Sequence, residues 1–376
     1  MAPVMSGNSK PGQHAACPAA VGRIDSGVIM GHNGCSTDAH AMRASWFLVA
    51  DVYRADTSMP DMRIAFFGTP RFALPSLQAL LECGQRPVAV VTQPDRRVGR
   101  GRHVQISPVK EAALRAGLPV LQPDKVRSAD FFEQLRAHAP DLAVVAAYGQ
   151  IFPRALLDVP RLGFINVHSS LLPAYRGAAP INWAIINGET TTGVTIMQVE
   201  PAMDSGPIVL QQAESILPED TAATLHDRLA QLGGRLLVQA LGLAGRPEWQ
   251  PLAQQHELAT YAPMLRKSDG LIEWSLPAAC IYNRLRGMTP WPGCFTLLAG
   301  RILKIHRACV RNACTRPAAP GTVLRTGEHG IEVAAGSGAL MILELQLEGK
   351  KRMNAGDFLK GTGVQTGAVL GADRNS

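Results

Sequence analysis

From position 62 onward the chain alternates two hydrophobic textures. Short, near-continuous apolar runs, "RIAFF" (63–67), "VAVVT" (88–92), "LAVVAA" (142–147), "FINVH" (164–168) and "VTIMQV" (194–199), read as strands covered on both faces. Helical stretches lie between them and carry end signals. One spans about 75–83 and stops at Gly84; another takes Ser107 as N-cap with Pro108 at its first position and ends near Gly117; a third follows Pro180 and ends at Gly188. Strands alternating with helices predict a doubly wound, mainly parallel, Rossmann-like α/β sheet over 62–243, which holds its ligand beyond the carboxyl ends of the strands. Leu225, Leu229, Leu232 and Leu236 form one buried stripe on a longer helix expected from Thr221 to Leu243.

The pattern then dissolves. Residues 244–265 read as a linker to a second domain at 266–376. There the period drops to two: Leu303 and Ile305 alternate with Lys304 and His306, and Met341, Leu343, Leu345 and Leu347 with Ile342, Glu344, Gln346 and Glu348. Half-buried strands of a small β-rich domain, a barrel, are expected. Residues 1–61 show no sustained period and are punctuated by Gly, Pro, Ser and Asn, so a disordered extension is expected, with Met62 or a nearby methionine as a sufficient start. Its five aspartates argue against a mitochondrial transit peptide.

Composition refines this picture at three points. A chain of 376 residues is long for one core and suggests two domains. No run approaches the roughly 18 apolar residues of a membrane-spanning helix, and no secretory signal opens the chain, so a soluble, cytoplasmic protein without a membrane partner is expected, as a monomer. The seven cysteines are odd in number and form no CxxC pair, which supports neither a disulfide framework nor a zinc site; they are expected to be reduced and structural. Charge is unevenly placed. The net +7 resides wholly in residues 266–376, where 15 Lys/Arg face 8 Asp/Glu. A basic end on a neutral body fits a nucleic-acid partner or simply a soluble basic domain.

Residues i and i+2 of a strand share a face, so Asn166 and His168 point the same way at the end of "GFINVH". An amide and an imidazole there could donate to an oxygen that becomes negative during acyl transfer. A structural histidine and a turn-forming asparagine are the plainer readings. Asp204, in "PAMDSGPIV", belongs to a turn-forming stretch, yet a carboxylate returned beside His168 could hold it protonated or take up a proton. The stretch "QPDRRVGRGRHVQISPVK" (93–110) packs Arg96, Arg97, Arg100 and Arg102 among glycines, as a mobile cationic loop over phosphates would, or as a solvated charge run. Its spacing is not that of a Walker loop. Only Gly68 follows the first strand where GxGxxG needs three glycines, which weakens a nicotinamide dehydrogenase, and neither GxSxG nor HExxH occurs.

On "RIAFFGTPRFALPSL", "TQPDRRVGRGRHVQISPVK", "INVHSSLLPAYRGAAPINWAIINGETTTGVTIMQ" and "MDSGPI", then "RKSDGLIEWSLPA", "NRLRGMTPWPGCF" and "LELQLEGKKRMNAGDFLKG", the chain resembles the methionyl-tRNA formyltransferase family. The Asn-x-His-x-Ser-Leu-Leu-Pro signature marks folate-dependent formyltransferases as a class; the basic loop and the second domain separate members of it. The resemblance implies 10-formyltetrahydrofolate as formyl donor, no metal, and initiator Met-tRNA as acceptor. It implies Asn166, His168 and Asp204 as the catalytic set, Ser170, Leu171, Leu172 and Pro173 as folate-site residues, Arg100 as a probe of the acceptor stem, and an OB-type barrel that grips tRNA. The alternatives are a folate formyltransferase acting on a small amine, which would not need the basic domain, and a catalytically dead RNA-binding scaffold.

Overall fold

The computed structural model describes residues 61–98, 103–244, 246–311 and 318–371, with backbone alone at 97, 98, 103 and 104. The extension expected before Met62 falls outside them, apart from Asp61. The first strands are β1 (Ile64–Gly68), β2 (Ala89–Val91), a hairpin of β3 (Arg96–Val98) and β4 (His103–Gln105), β5 (Val120–Leu121), β6 (Leu142–Ala146), β7 (Phe164–His168), the short β8 (Arg176–Gly177), β9 (Thr191–Gln198) and β10 (Ile208–Ser215). Among the described residues, seven of them form one sheet in the order β10-β9-β7-β6-β1-β2-β5. All its pairings are parallel except those of β9, which runs against both neighbours. The chain steps from β1 outward to β2 and β5, then crosses back to β6 and β7, so the winding reverses between β1 and β6. That is the switch point where open α/β sheets bind ligands.

Every residue of β1 and β6 is buried, because helices cover both faces. One face receives Leu74–Glu82, Pro108–Arg115 and Ala222–Leu243, and the leucine stripe of the last packs there with Leu225, Leu229 and Leu232 fully buried. Thr221 caps that helix by accepting from the Thr224 N–H, and Ser107 caps the second by accepting from Lys110. The other face carries Ala129–Ala137 and an aromatic cluster in which Phe67 meets Tyr148 and Phe152 edge-on, both at 5.5 Å between centroids.

The joining segment does more than connect. Within it β11 (Tyr261–Ala262) pairs in parallel with β8, bringing the chain back beside the first domain. Beyond it, β12 (Cys294–Leu298), β13 (Arg301–Arg311), β14 (Val323–Gly327), β15 (Gly330–Ala334), β16 (Ala339–Leu347) and β17 (Met353–Asn354) form an antiparallel sheet in the order β12-β13-β16-β15-β14, with β17 on β16. Its core gathers Leu303, Ile305, Val333, Leu340, Ile342, Leu345 and Leu347 with residues of the helix Ala278–Gly287. The strict alternation expected along β16 is corrected here. Register shifts around Arg307 insert a bulge opposite β16, so Leu340 and Ile342 pack inward before it and Leu345 and Leu347 after it, while Leu343 is only half-buried. The domains dock where Asn182 donates to the Gly287 carbonyl at 2.7 Å and Arg286 donates to the carbonyls of Leu217 and Asp220.

Candidate active site

At the carboxyl ends of β1, β6 and β7 opens a cavity of about 610 Å³, within the range of small-molecule sites. Each strand hands it a loop: Pro70 and Phe72 after β1, Ala147–Phe152 after β6, and His168 with Ser169 at the end of β7. The turn 199–204 and the residues Gly177–Asn182 close the sides, and Met264 of the joining segment reaches the rim.

Asn166, His168 and Asp204 all line this cavity, although Asp204 lies 36 positions beyond the histidine. The strand period turns Asn166 and His168 to one side, as expected. Among the described residues the Asn166 amide has no protein partner, so its two N–H donors are available to a bound molecule. The imidazole is only 6% exposed, and its Nε2 lies 3.1 Å from the Tyr175 carbonyl. A carbonyl oxygen only accepts, so Nε2 carries a hydrogen and Nδ1 is left as the atom that can gain or release a proton. The nearer Asp204 carboxylate oxygen lies 3.7 Å from Nδ1, too long for a hydrogen bond and close enough for ion pairing.

Local structure holds that carboxylate in place. Asp204 has φ +48°, a left-handed conformation that Asp tolerates better than most residues. Its Oδ2 accepts from the Gly177 N–H at 2.8 Å. Gly177 must be a glycine: its φ is +116°, and a Cβ would sit 2.8 Å from the Ala262 carbonyl oxygen on β11. Burial pushes the Tyr148 phenol up to about 12, so it stays protonated in the cavity wall. For Tyr175, whose carbonyl receives His168, burial first and then its bond to Glu189 raise the phenol to about 12 as well.

The other expected residues fall elsewhere. Ser170, Leu171, Leu172 and Pro173 are not among the residues lining the cavity. Ser170 is fully buried and donates to the Ala174 carbonyl at 2.6 Å, while the Thr195 hydroxyl donates to the Ser170 carbonyl and accepts from the Leu172 N–H. This segment buttresses the end of β7 from behind. Arg96 and Arg97 lie on β3, and Arg96 donates to Gln93 at 2.6 Å. Arg100 and Arg102 lie outside the described residues.

Several groups at the site carry no signal in the sequence. Arg176 is 4% exposed and forms no carboxylate pair among the described residues. It donates instead to Gln254 Oε1 through Nε at 3.1 Å and Nη2 at 2.6 Å, and to His256 Nδ1 at 3.0 Å. His226, on the long helix, also borders the cavity, its ring meeting Phe72 edge-on at 5.3 Å. Among the described residues no group of three or more His, Cys, Asp or Glu is arranged to hold a metal ion, and no helix is long and apolar enough to cross a membrane.

Comparison with known proteins agrees with this architecture. A formyl transferase family model matches residues 62–241, and a model of the formyl transferase C-terminal domain matches 264–363. The methionyl-tRNA formyltransferase of Citrifermentans bemidjiense is 52% identical over 313 residues, 83% of this chain and 98% of that protein. The same enzyme of Geobacter sulfurreducens is 47% identical, again over 83% of this chain and 98% of its own. Among solved structures, an N-formyltransferase of Helicobacter canadensis, crystallised with folinic acid and dTDP-3-aminofucose, superimposes with a TM-score of 0.57 at 17% identity, over 78% of this chain and all of its own. HypX from Aquifex aeolicus with tetrahydrofolic acid gives a TM-score of 0.53, also at 17% identity, over 80% of this chain and 48% of that one. These two likenesses are of fold.

Proposed function

The chain belongs to the methionyl-tRNA formyltransferase family, and we propose that it moves the formyl group of 10-formyltetrahydrofolate onto the α-amino group of initiator Met-tRNA. The observation that carries this reading is the convergence of Asn166, His168 and Asp204 on one cavity at the switch point of the sheet. The donor fits the residues present. Ile151, Phe152, Met197 and Val199 give apolar walls to a flat heterocycle, and the three polar side chains gather at one end, where the transferable carbon would lie.

Formation of the new C–N bond moves charge onto the formyl oxygen. The unpartnered Asn166 amide and a proton on His168 Nδ1 answer that charge, and they gain most where it is largest, in the transition state. Asp204 faces Nδ1, retains the proton there and assists removal of one from the attacking nitrogen. Return of the electron pair to the carbonyl breaks the bond between the formyl carbon and the folate nitrogen, which leaves with a proton. Ser170–Pro173 serve the donor indirectly, by fixing the strand end that presents His168.

The acceptor is a polyanion, and the second domain suits it. The outward positions of β13 include Arg301, Lys304, Arg307 and Arg311, all exposed. Arg96 and Arg97 on β3, with Arg100 and Arg102 of the same stretch of sequence, add further cations to the chain. Labelled formyl transfer from 10-formyltetrahydrofolate to initiator Met-tRNA tests the proposal. Label appearing on a small amine, with none on the tRNA, would overturn it.

A further inference from the structure

We propose that Gln254, in the segment joining the two domains, is a positioning residue for Asp204. The inference deepens the function proposed above and rests on it for its kinetic arm.

Gln254 is 6% exposed, and its amide is fully used. Its Nε2 donates to the Asp204 carbonyl at 2.9 Å and to the Gly206 carbonyl at 2.7 Å, so both bonds fall on the backbone of the turn that carries the carboxylate. Its Oε1 accepts both bonds from Arg176. The next residue after Arg176 is Gly177, whose N–H is the described donor to the Asp204 carboxylate. One side chain therefore grips the backbone that carries Asp204 and the backbone that receives it.

No other side chain satisfies both ends of this arrangement. A glutamate at 254 keeps the acceptors for Arg176 but loses both donors and sets a charge against two carbonyl oxygens. A methionine matches the shape and loses all four bonds. Arg176 strengthens the grip: a buried guanidinium without a carboxylate is held by the groups that solvate it, here Gln254 and His256. Asp204 needs such help because its backbone is left-handed and its distance to Nδ1 is set by the turn and not by a direct bond. The clamp also has a consequence for domain coupling. Gln254 and the β11 strand that packs on Gly177 lie in one continuous segment leading into the second domain, so the carboxylate is mounted partly on the connection itself.

Two measurements on the full chain test the proposal. In single-turnover formyl transfer, Gln254→Met and Gln254→Glu should each lower the rate about tenfold or more, with little change in KM for the folate and with folding intact by thermal melt. In the Asp204→Asn background the same two substitutions should cost almost nothing further, because their effect passes through that carboxylate. Losses that multiply in the double variants would overturn the proposal and leave Gln254 a general structural residue. The second measurement needs no substrate. Hydrogen exchange at the Gly177 amide, read by NMR, should quicken about tenfold in both Gln254 variants. Unchanged exchange would overturn the clamp, whereas a wild-type chain that formylates nothing, with exchange still quickened in the two Gln254 variants, would overturn the assigned reaction alone.

Discussion

At the carboxyl end of β7 polar side chains turn toward the cavity, whereas on β13 and β16 the inward positions are apolar and the charges face water. Around the first sheet His168, Ser170, Arg176, Thr195 and Gln254 are all buried, each with hydrogen-bond partners, and Asn166 beside them has no partner for its amide among the described residues. Around the second sheet the buried Thr296 and Glu332 are each met by a neighbouring side chain. Trp274 donates to Thr296, and Glu332 accepts from Arg325. Unused hydrogen-bonding capacity inside a protein is expensive unless something arrives to meet it. The first region holds such capacity at a cavity and so suits chemistry. The second carries an apolar inward side and exposed cations along β13, and suits contact through those outer charges.

The sharpest way to break that contrast is to remove the free donor. Asn166→Ala should lower turnover about 10²–10³-fold, or about 2.7–4 kcal/mol of transition-state stabilisation, as loss of one oxyanion donor does elsewhere. The substitution fills no core position, so the melting temperature should stay near that of the parent. Near-normal formyl transfer would remove Asn166 from the reaction.

A smaller effect probes the second sheet, whose inward side is simple packing. Ile342 is fully buried and Leu343, one residue on, is half-buried. Ile342→Val should destabilise by about 0.5–1.5 kcal/mol, and Leu343→Val should cost less. Denaturant melts that ranked them the other way would mean that the register across the β13–β16 bulge is wrong.

Acid sensitivity gives a gentler test within the first region. Burial alone would raise the Asp220 carboxyl, but bonds from Arg228, the Leu217 N–H and the Thr224 hydroxyl outweigh it and hold the group below its ordinary value. A native value below the unfolded one, about 3.9, gives stability that is complete above that pH and lost as pH falls through the native value. Asp220→Asn should therefore be less stable than the parent at neutral pH, and the two should converge below about pH 4. A gap that stayed constant with pH would show that the pairing with Arg228 contributes no proton-linked stability.

How much of this could be read from the residues alone follows from where the forces are local. The two-residue period fixes which side Asn166 and His168 face, and the Thr221 cap and leucine stripe fix the long helix, because each depends on neighbours within a turn or a strand. The bulge opposite β16 was hidden because two strands share it and neither sequence marks it. The helix Ala278–Gly287 was hidden as well. It is ten residues long, opens on a proline without a side-chain cap, and buries Arg286 against the other domain. Least legible was the clamp. Arg176 and Gln254 are 78 positions apart, and "PLAQQHEL" reads as a polar connector until the fold brings it beside the Asp204 turn.

The weakest expected effect tests the outer face of the second sheet. Lys304 and Arg307 are exposed on β13 and form no ion pair within hydrogen-bonding reach among the described residues, whereas Arg352 nearby is committed to Glu344 by two bonds of 2.7 Å. A cation that neutralises a phosphate releases a condensed counterion, so the logarithm of tRNA affinity falls linearly with the logarithm of salt. Removing one such contact should lower that slope by about one, weaken binding modestly at physiological salt and leave the donor's KM unchanged. Arg352→Ala should change the slope less than Lys304→Ala or Arg307→Ala, because its charge is already answered inside the protein. Equal slopes for all three would mean that the phosphates do not lie on β13, and the polyanion would then have to be held by the hairpin arginines alone.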